Sequence, residues 1–321
     1  MIVCPSNEMS LLRSTFIGLS RNSTLRRFAE QSSLGRRMSS RFVAGFRIED
    51  ALTSANNLAA QGLSVTLDSL GENVTTPDQA RQSAQVYHWL LDAIAQPQQN
   101  PSRLDANVSL KLTQMGMDLD PGLAATIVSE LVDHAVQSRS FVRVDMEGTA
   151  YTQATVDLVR QLHAKPGNRG HVGVVIQAYL RRSAGDIADL LRDGIRIRLC
   201  KGAYKEPPDL AFADKKDVDA NFVALTKTLL KSGVFHGIAT HDPAMIAAAK
   251  DFARAERIDP SSFEFQMLYG IRRDLQRMLI QEGYRVRIYV PFGDEWYPYF
   301  MRRLAERPAN VLFLARNFFR K

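Results

Sequence analysis

Short apolar segments alternate with amphipathic helical segments from residue 63 onward, and this alternation restricts the fold more than any other feature of the chain. Most of the apolar segments are rich in Val, Ile and Leu, as parallel strands buried on both faces tend to be. The eight predicted strands are Leu63–Leu70, Asn107–Leu112, Phe141–Met146, Val172–Tyr179, Ile195–Lys201, His236–His241, Phe263–Leu268 and Arg285–Val290.

A helical segment follows each strand. Thr76 before Pro77 and Asp120 before Pro121 combine a capping side chain with proline at the first helical position. The other helices are predicted at Tyr151–Leu162, Ser183 to Gly194, Asp217–Leu230, Pro243–Ala253, Arg272–Gln281 and Asp294–Glu306. Eight such units predict a closed (β/α)8 TIM-like barrel over residues 46–321 rather than an open sheet. No Gly-x-Gly-x-x-Gly turn follows the first strand, which argues against a Rossmann domain.

Residues 1–45 precede the barrel and form a separate region. The first 41 residues contain seven arginines, no lysine and two acids, a bias that also occurs in mitochondrial transit peptides. Apolar residues recur there at helical spacing, and this favours an N-terminal helical arm. These residues include Leu11, Leu12, Phe16 and Leu19.

The composition, 45% hydrophobic and 23% charged, is typical of a globular protein with a sizeable core. No apolar run approaches the ~18 residues of a membrane span. The net charge of +7 comes from scattered basic residues without a nucleic-acid-binding motif, so we expect no nucleic-acid partner. Two cysteines, Cys4 and Cys200, argue against a disulfide scaffold and fit a cytoplasmic protein. Peripheral contact with the anionic inner face of the cell membrane stays open.

Polar residues near the ends of the predicted strands are the candidates for function, because active sites of such barrels form at the carboxyl ends of the strands. Each residue alone has another interpretation. A lysine or aspartate fits an ion pair that plugs the barrel mouth, a tyrosine fits packing, Gln177 fits a satisfied polar group, and His241 fits a cap for the next helix. Nearly every strand supplies such a residue, however, and this favours a functional site. Only one histidine is among them, which argues against a catalytic metal. The set is Glu72, Lys111, Asp145, Gln177, Arg198, Lys201, Tyr204, Thr240, His241, Glu264, Gln266 and Tyr289.

An arginine pair, Arg302 and Arg303, lies on the last predicted helix. Adjacent helical residues project about 100° apart, so both guanidinium groups can converge on one small anion. The planar fork of arginine pairs bidentately with a carboxylate. A solvated basic face is the alternative, and the pattern alone leaves both interpretations open.

Five strings of the sequence resemble motifs of the bacterial, monofunctional proline dehydrogenases. They are Ser64-Val-Thr-Leu-Asp-Ser-Leu-Gly-Glu72, Arg198-Leu-Cys-Lys-Gly-Ala-Tyr204, Ala239-Thr-His-Asp242, Phe263-Glu-Phe-Gln-Met-Leu268 and Tyr299-Phe-Met-Arg-Arg303. The resemblance extends from about Arg41 to Arg316, and no segment remains for the aldehyde dehydrogenase domain of the bifunctional relatives.

The resemblance implies an enzyme that oxidises L-proline to Δ1-pyrroline-5-carboxylate by hydride transfer from C5 to FAD, with a quinone as electron acceptor. It implies FAD contacts for Gln177, Arg198, Lys201, Gly202, Ala203, Tyr204, Thr240, His241 and Gln266. It implies substrate contacts for Lys111, Ala203, Leu268, Tyr289, Tyr299, Arg302 and Arg303. Asp145 matches an aspartate of the site, and Glu72 matches an acid that pairs with Arg302 when the site closes.

Two other functions fit part of the pattern. A strand lysine, Lys111 or Lys201, is the nucleophile expected of a barrel with Schiff-base chemistry. A barrel without catalytic activity that binds an amino acid is the other alternative. A flavin spectrum in the purified protein would distinguish a proline dehydrogenase from both of these alternatives.

Overall fold

Eight parallel strands form a closed barrel in the computed structural model, which describes residues 39–71, 74–96, 104–204 and 206–306 without the side chains of Arg302, Leu304, Ala305 and Glu306. The strands are hydrogen-bonded in chain order, and β8 pairs with β1 to close the sheet. They are β1 (Ser64–Ser69), β2 (Ala106–Leu110), β3 (Val142–Val144), β4 (Val172–Gln177), β5 (Arg196–Cys200), β6 (His236–Ala239), β7 (Phe263–Leu268) and β8 (Arg285–Phe292).

Helices surround this barrel. Before β1 lies α1 (Ile48–Ala59), and the helices after the strands are α2 (Pro77–Ala95), α3 (Pro121–Gln137), α4 (Thr149–Ala164), α5 (Ser183–Arg192), α6 (Lys215–Lys231), α7 (Pro243–Ala255), α8 (Arg273–Gln281) and α9 (Trp296–Glu306). The predicted caps are confirmed: Thr76 Oγ1 accepts from Gln79 N at 3.3 Å, and Asp120 Oδ1 accepts from Gly122 N at 2.8 Å. None of the helices in the described ranges is both long and apolar enough to span a bilayer.

All eight predicted strands and the TIM-like barrel are confirmed, but several predicted strand ends are wrong. The third strand is confined to Val142–Val144, and Lys111, Asp145 and Lys201 lie just beyond their strands rather than within them. Strand β8 runs further than predicted because its pairing with β1 continues to Phe292. Residues 1–38 of the predicted N-terminal helical arm lie outside the described residues.

Inward and outward side chains alternate along β1 and define two environments. Val65 and Leu67 are fully buried in the apolar core around the barrel. Thr66 reaches side chains inside the barrel, accepting from Arg198 Nη2 at 3.5 Å and donating to Asn107 Oδ1 at 2.6 Å. The interior of the barrel is therefore polar along this strand.

A second apolar cluster packs around α9. Phe42, Val43 and Leu70 contact the buried aromatic residues Trp296 and Phe300 of this helix. The chain before α1 is also tied to the barrel by its backbone, since the N–H of residue 44 donates to the carbonyl of residue 291 at 2.9 Å. Because Leu70 directly follows β1, this packing places α9 next to the carboxyl end of the barrel.

A buried histidine gives the fold a pH dependence. His236, on β6, is 1% exposed. Its Nδ1 accepts from Ile197 N at 3.0 Å, so the neutral ring carries its proton on Nε2, next to Ser232 Oγ at 2.9 Å. Burial, reinforced by the charge of Arg143, lowers the pKa of His236 to about 3.

We expect the free energy of unfolding to fall as the pH is lowered from about 6.5 towards 3, because only the unfolded chain binds a proton on His236 in this window. The slope from this group is about 1.4 kcal/mol per pH unit. Urea unfolding at a series of pH values measures it. His236→Asn keeps an acceptor for Ile197 N but does not titrate. The slope of its free energy of unfolding against pH should therefore be smaller by the contribution of one proton. Equal slopes in both proteins would contradict the assignment.

Candidate active site

Asp145 is the centre of a buried hydrogen-bond network at the carboxyl end of the barrel. Its Oδ1 accepts from Ser109 Oγ at 2.6 Å and from Arg198 Nη1 at 2.8 Å. Its Oδ2 accepts from the Tyr289 hydroxyl at 2.7 Å. The carboxylate follows β3, and its partners come from β2, β5 and β8, so one side chain joins four strands.

Arg198 is a buried cation within this network. It is 6% exposed, and besides Asp145 its Nε donates to Gln266 Oε1. The guanidinium carbon also lies 5.2 Å from the centre of the Tyr289 ring. A guanidinium stays charged in proteins. The site therefore presents a fixed positive charge, oriented by a carboxylate and an amide.

Tyr289 is held as a hydrogen-bond donor. Burial, followed by the negative charge of Asp145, raises the pKa of Tyr289 well above its ordinary value. The phenol consequently keeps its proton at neutral pH and donates it to Asp145. This fixes the ring of Tyr289 against Arg198 and gives the site a rigid wall.

Lys111 lies between two carboxylates. Its Nζ is 3.5 Å from both oxygens of Asp68 and 4.0 Å from Asp145 Oδ2. Asp68 is fully buried, whereas 13% of the Lys111 side chain is exposed. Asp68 was not among the predicted site residues. The available signal was its position two residues after Thr66, on the same inward face of β1.

The residues after β5 and β6 form a second group. Lys201 Nζ bonds both Asp219 Oδ1 and, at 2.8 Å, Asp242 Oδ2. Burial opposes ionisation of Asp242, but hydrogen bonds from Lys201 and Ala244 N outweigh it and hold the pKa of Asp242 below its ordinary value. Asp219 and Asp242 were not predicted as partners, because they lie on other elements.

Thr240 and His241 fix the loop after β6. Thr240 Oγ1 accepts from Asp242 N at 3.1 Å, and His241 Nε2 accepts from Leu268 N at 2.9 Å. His241 does not cap the next helix, so this alternative is wrong. Asp242 does so instead, accepting from Ala244 N at 3.0 Å.

Gly202 and Tyr179 meet in a close approach beside this group. Gly202 has φ +109°, and a Cβ there would lie 2.2 Å from Cδ1 of Tyr179. The Tyr179 hydroxyl is buried and has no hydrogen-bond partner among the described residues. Gln177, at the end of β4, donates from Nε2 to the Glu147 carbonyl at 2.8 Å. Ala203 and Tyr204 are exposed.

The predicted arginine pair is described only in part. On α9, the guanidinium carbon of Arg303 lies 5.0 Å from the centre of the Tyr299 ring, and Tyr299 is 6% exposed. The backbone of Arg302 belongs to the same helix, but its side chain and the whole of Glu72 lie outside the described residues. The network thus joins Lys111, Asp145, Arg198, Gln266 and Tyr289. Contacts of Arg302 and Glu72 stay predictions.

A comparison with family models matches residues 51–316 to the model described as proline dehydrogenase. Proline dehydrogenase 1 of Bacillus subtilis subsp. natto is 42% identical over 312 residues, which cover 97% of this chain and 100% of the relative. Proline dehydrogenase of Deinococcus radiodurans is 40% identical over 282 residues, covering 86% of this chain and 88% of the relative.

Among solved structures, proline utilization A (PutA) from Bdellovibrio bacteriovorus, inactivated by N-propargylglycine, aligns with a TM-score of 0.80 at 24% sequence identity. The alignment covers 97% of this chain but 38% of that much longer protein. At this identity the likeness demonstrates a shared barrel fold.

Proposed function

Because this chain belongs to the proline dehydrogenase family, whose members oxidise proline in proline catabolism, we propose that it transfers a hydride from C5 of L-proline to FAD and yields Δ1-pyrroline-5-carboxylate. The observation that carries this proposal is the buried Arg198, fixed by Asp145 and Gln266 at the carboxyl end of the barrel. A preorganised cation in a water-poor site stabilises negative charge that develops during a reaction.

The described residues fit a flavin dinucleotide. Family members are flavoproteins, and the flavin when bound supplies a two-electron acceptor for the hydride. Lys201 offers a cation for the phosphates, and the buried Tyr179 hydroxyl offers a hydrogen bond that no described residue uses. Gly202 allows a close backbone approach at the same place. Gln177, Thr240, His241 and Gln266 are the further proposed contacts, with Ala203 and Tyr204 beside them.

We expect Gly202→Ala to lower the flavin content of the purified protein strongly. The new Cβ would meet Tyr179 at 2.2 Å, and φ +109° is strained for any L side chain. The ratio of flavin to protein absorbance measures the effect. Gly185→Ala is the matched control: this glycine lies in α5, where a Cβ meets nothing within 4 Å. If Gly202→Ala retains full flavin, this loop does not contact the cofactor.

The substrate carboxylate is proposed to bind Lys111, Arg302 and Arg303. The pyrrolidine ring then packs against Leu268, Ala203, Tyr289 and Tyr299, and this orientation of the reacting carbon lowers the barrier. Glu72 is proposed to pair with Arg302 as α9 closes and excludes water. This last pairing is supported by the sequence motifs alone.

Electrons are proposed to pass from the flavin to a quinone. The net charge of +7 supports peripheral contact with an anionic membrane, where quinones reside. The competing Schiff-base chemistry needs a neutral lysine as nucleophile. Lys111 and Lys201 each contact two carboxylates, a setting that suits an ammonium group and disfavours this alternative.

The test of the proposed function is a product assay. The purified protein is incubated with L-proline and a soluble quinone, and Δ1-pyrroline-5-carboxylate is trapped with o-aminobenzaldehyde and measured by its absorbance. The proposal predicts product that requires both proline and quinone. Borohydride trapping of a carbonyl compound on the protein, without formation of this product, would favour the Schiff-base alternative.

A further inference from the structure

Asp68 is a buried carboxylate to which the proposed function assigns no role. It lies on β1, and both of its carboxylate oxygens are 3.5 Å from Lys111 Nζ. Lysine carries its charge on a flexible four-carbon stem and does not fix its own position. Asp68 approaches closer than Asp145, at 4.0 Å, so it contributes the stronger attraction of the two.

Asp68 is itself supported from outside the barrel. The hydroxyl of Tyr87, on α2, lies 3.4 Å from Asp68 Oδ1 and 3.0 Å from Gln114 Oε1. Gln114 in turn donates to the Ser69 carbonyl at 2.8 Å. Burial and the charge of Asp68 raise the pKa of Tyr87 well above its ordinary value, so it remains a neutral donor. A helix side chain thus reaches the barrel wall, where its single hydroxyl proton is shared between Gln114 and the longer contact to the Asp68 carboxylate.

We propose that Asp68 is a positioning residue, which keeps Lys111 protonated and directs its ammonium group at the substrate carboxylate. The inference rests on the proposed function, because it concerns the same carboxylate clamp. Asp68 acts through Lys111 and does not touch the reacting atoms. In the described part of the site, the titratable groups Asp145 and Tyr87 contact this pair, and Arg198 and Tyr289 contact Asp145 in turn.

Two other roles for Asp68 make different predictions. In the first, the carboxylate binds the secondary amine of proline directly. In the second, Asp68 only stabilises the barrel. Tetrahydrofuran-2-carboxylate distinguishes all three roles: positioning Lys111, binding the amine and stabilising the barrel. It keeps the ring and the carboxylate of proline but has an oxygen in place of the amine. Its carboxylate does not titrate in the neutral and alkaline range, so any alkaline loss of binding arises from the protein.

The experiment measures dissociation constants of this analogue and of proline on the flavin-loaded protein from about pH 7 to about pH 11, a range that extends past the ordinary lysine pKa of about 10.4. The variants are Asp68→Asn, which removes the charge, and Tyr87→Phe, which keeps the charge but removes one hydrogen bond. Asp105→Asn is the control: it also breaks an ion pair with a barrel arginine, Arg287, at 2.9 Å, but lies before β2 at the opposite end of the barrel. Proline is measured as a competitor of the analogue under anaerobic conditions on protein whose flavin has first been reduced with dithionite, so that proline is bound but not oxidised.

For Asp68→Asn we expect weaker analogue binding, with a ratio to the parent protein that grows on the order of tenfold across this range. The reason is that Lys111 loses its proton at lower pH once the negative charge beside it is gone, while the arginines stay charged. Tyr87→Phe should weaken binding by a smaller factor that is nearly constant with pH. Asp105→Asn should leave both ligands unaffected.

Three outcomes would overturn the inference. Loss of proline binding with normal analogue binding would assign Asp68 to the amine. Reduced thermal stability with unchanged dissociation constants would make it structural, and so would a loss of affinity that is the same at every pH. If the parent protein forms no product from proline, the proposed function fails first. If it does and Asp68→Asn behaves like Asp105→Asn, only the role of Asp68 fails.

Discussion

Replacing Asp145 by alanine is expected to lower kcat/KM for proline about 100- to 1000-fold, the range seen when a preorganised electrostatic group is removed from an active site. Asp145 fixes Arg198 at 2.8 Å and Tyr289 at 2.7 Å, so both lose their orientation together. Arg198 also stays buried without its charged partner, and breaking a buried ion pair from one side costs about 3–5 kcal/mol of stability. Steady-state kinetics and urea unfolding measure the two effects separately.

One further variant separates charge from shape in this network, and a surface variant serves as the control. Asp145→Asn keeps the size and can keep its oxygen as an acceptor for Ser109 and Arg198. Its amide nitrogen then donates to the Tyr289 hydroxyl, which donated to the carboxylate before, and Arg198 loses its counter-charge. The activity of this variant should lie between those of the parent protein and the alanine variant. Asp251→Ala removes a similar contact, 2.8 Å to Arg254, from the surface of α7, where such pairs contribute little. Activity of Asp145→Ala within a factor of two or three of the Asp251→Ala control would show that the network is not part of the site.

The second large effect is expected for the arginine pair. Arg303→Lys and Arg302→Lys should each raise the KM for proline about 10- to 100-fold, because an ammonium group replaces a two-donor fork by a point charge. The turnover number should change less, since the carboxylate is bound in both the ground state and the transition state. Proline concentration series with each variant measure both constants.

Arg254→Lys provides the control for the chemistry of this substitution. This arginine also lies near the end of a helix and bonds an aspartate, but it is 68% exposed and on α7. Its KM should equal that of the parent protein. The carboxylate clamp would be wrong if Arg302→Lys and Arg303→Lys both left the KM unchanged. A change in only one of them would identify the arginine that binds the carboxylate.

The barrel could be predicted from the sequence because its parallel strands are buried on both faces and therefore form apolar runs. The ends of the strands did not follow from the apolar residues: Met146 is apolar and buried, but pairing with β2 and β4 ends at Val144. Helix α1 was not predicted, although Ile48, Ala51 and Ala55 recur at helical spacing, and the two alanines are fully buried.

The candidate site was predictable where a polar residue interrupts an apolar strand or follows it directly. Asp145, Arg198 and Tyr289 were identified in this way, and the structure brings them together. The partners of Lys201 were not predictable, because Asp219 lies in the second turn of α6, 18 residues further along the chain. Asp68 was missed although it is a charged residue within an apolar strand, two residues after Thr66 on β1. The pairing of Glu72 with Arg302 stays a prediction.

The central claim is that proline delivers its electrons to a flavin held at the carboxyl end of this barrel. The most direct measurement is an anaerobic titration of the purified protein with L-proline, followed by visible absorbance. The proposed function predicts a flavin spectrum before the addition and bleaching of its visible band afterwards, as expected of an oxidised flavin that accepts a hydride. A colourless protein, or a flavin band that proline leaves unchanged, would contradict it.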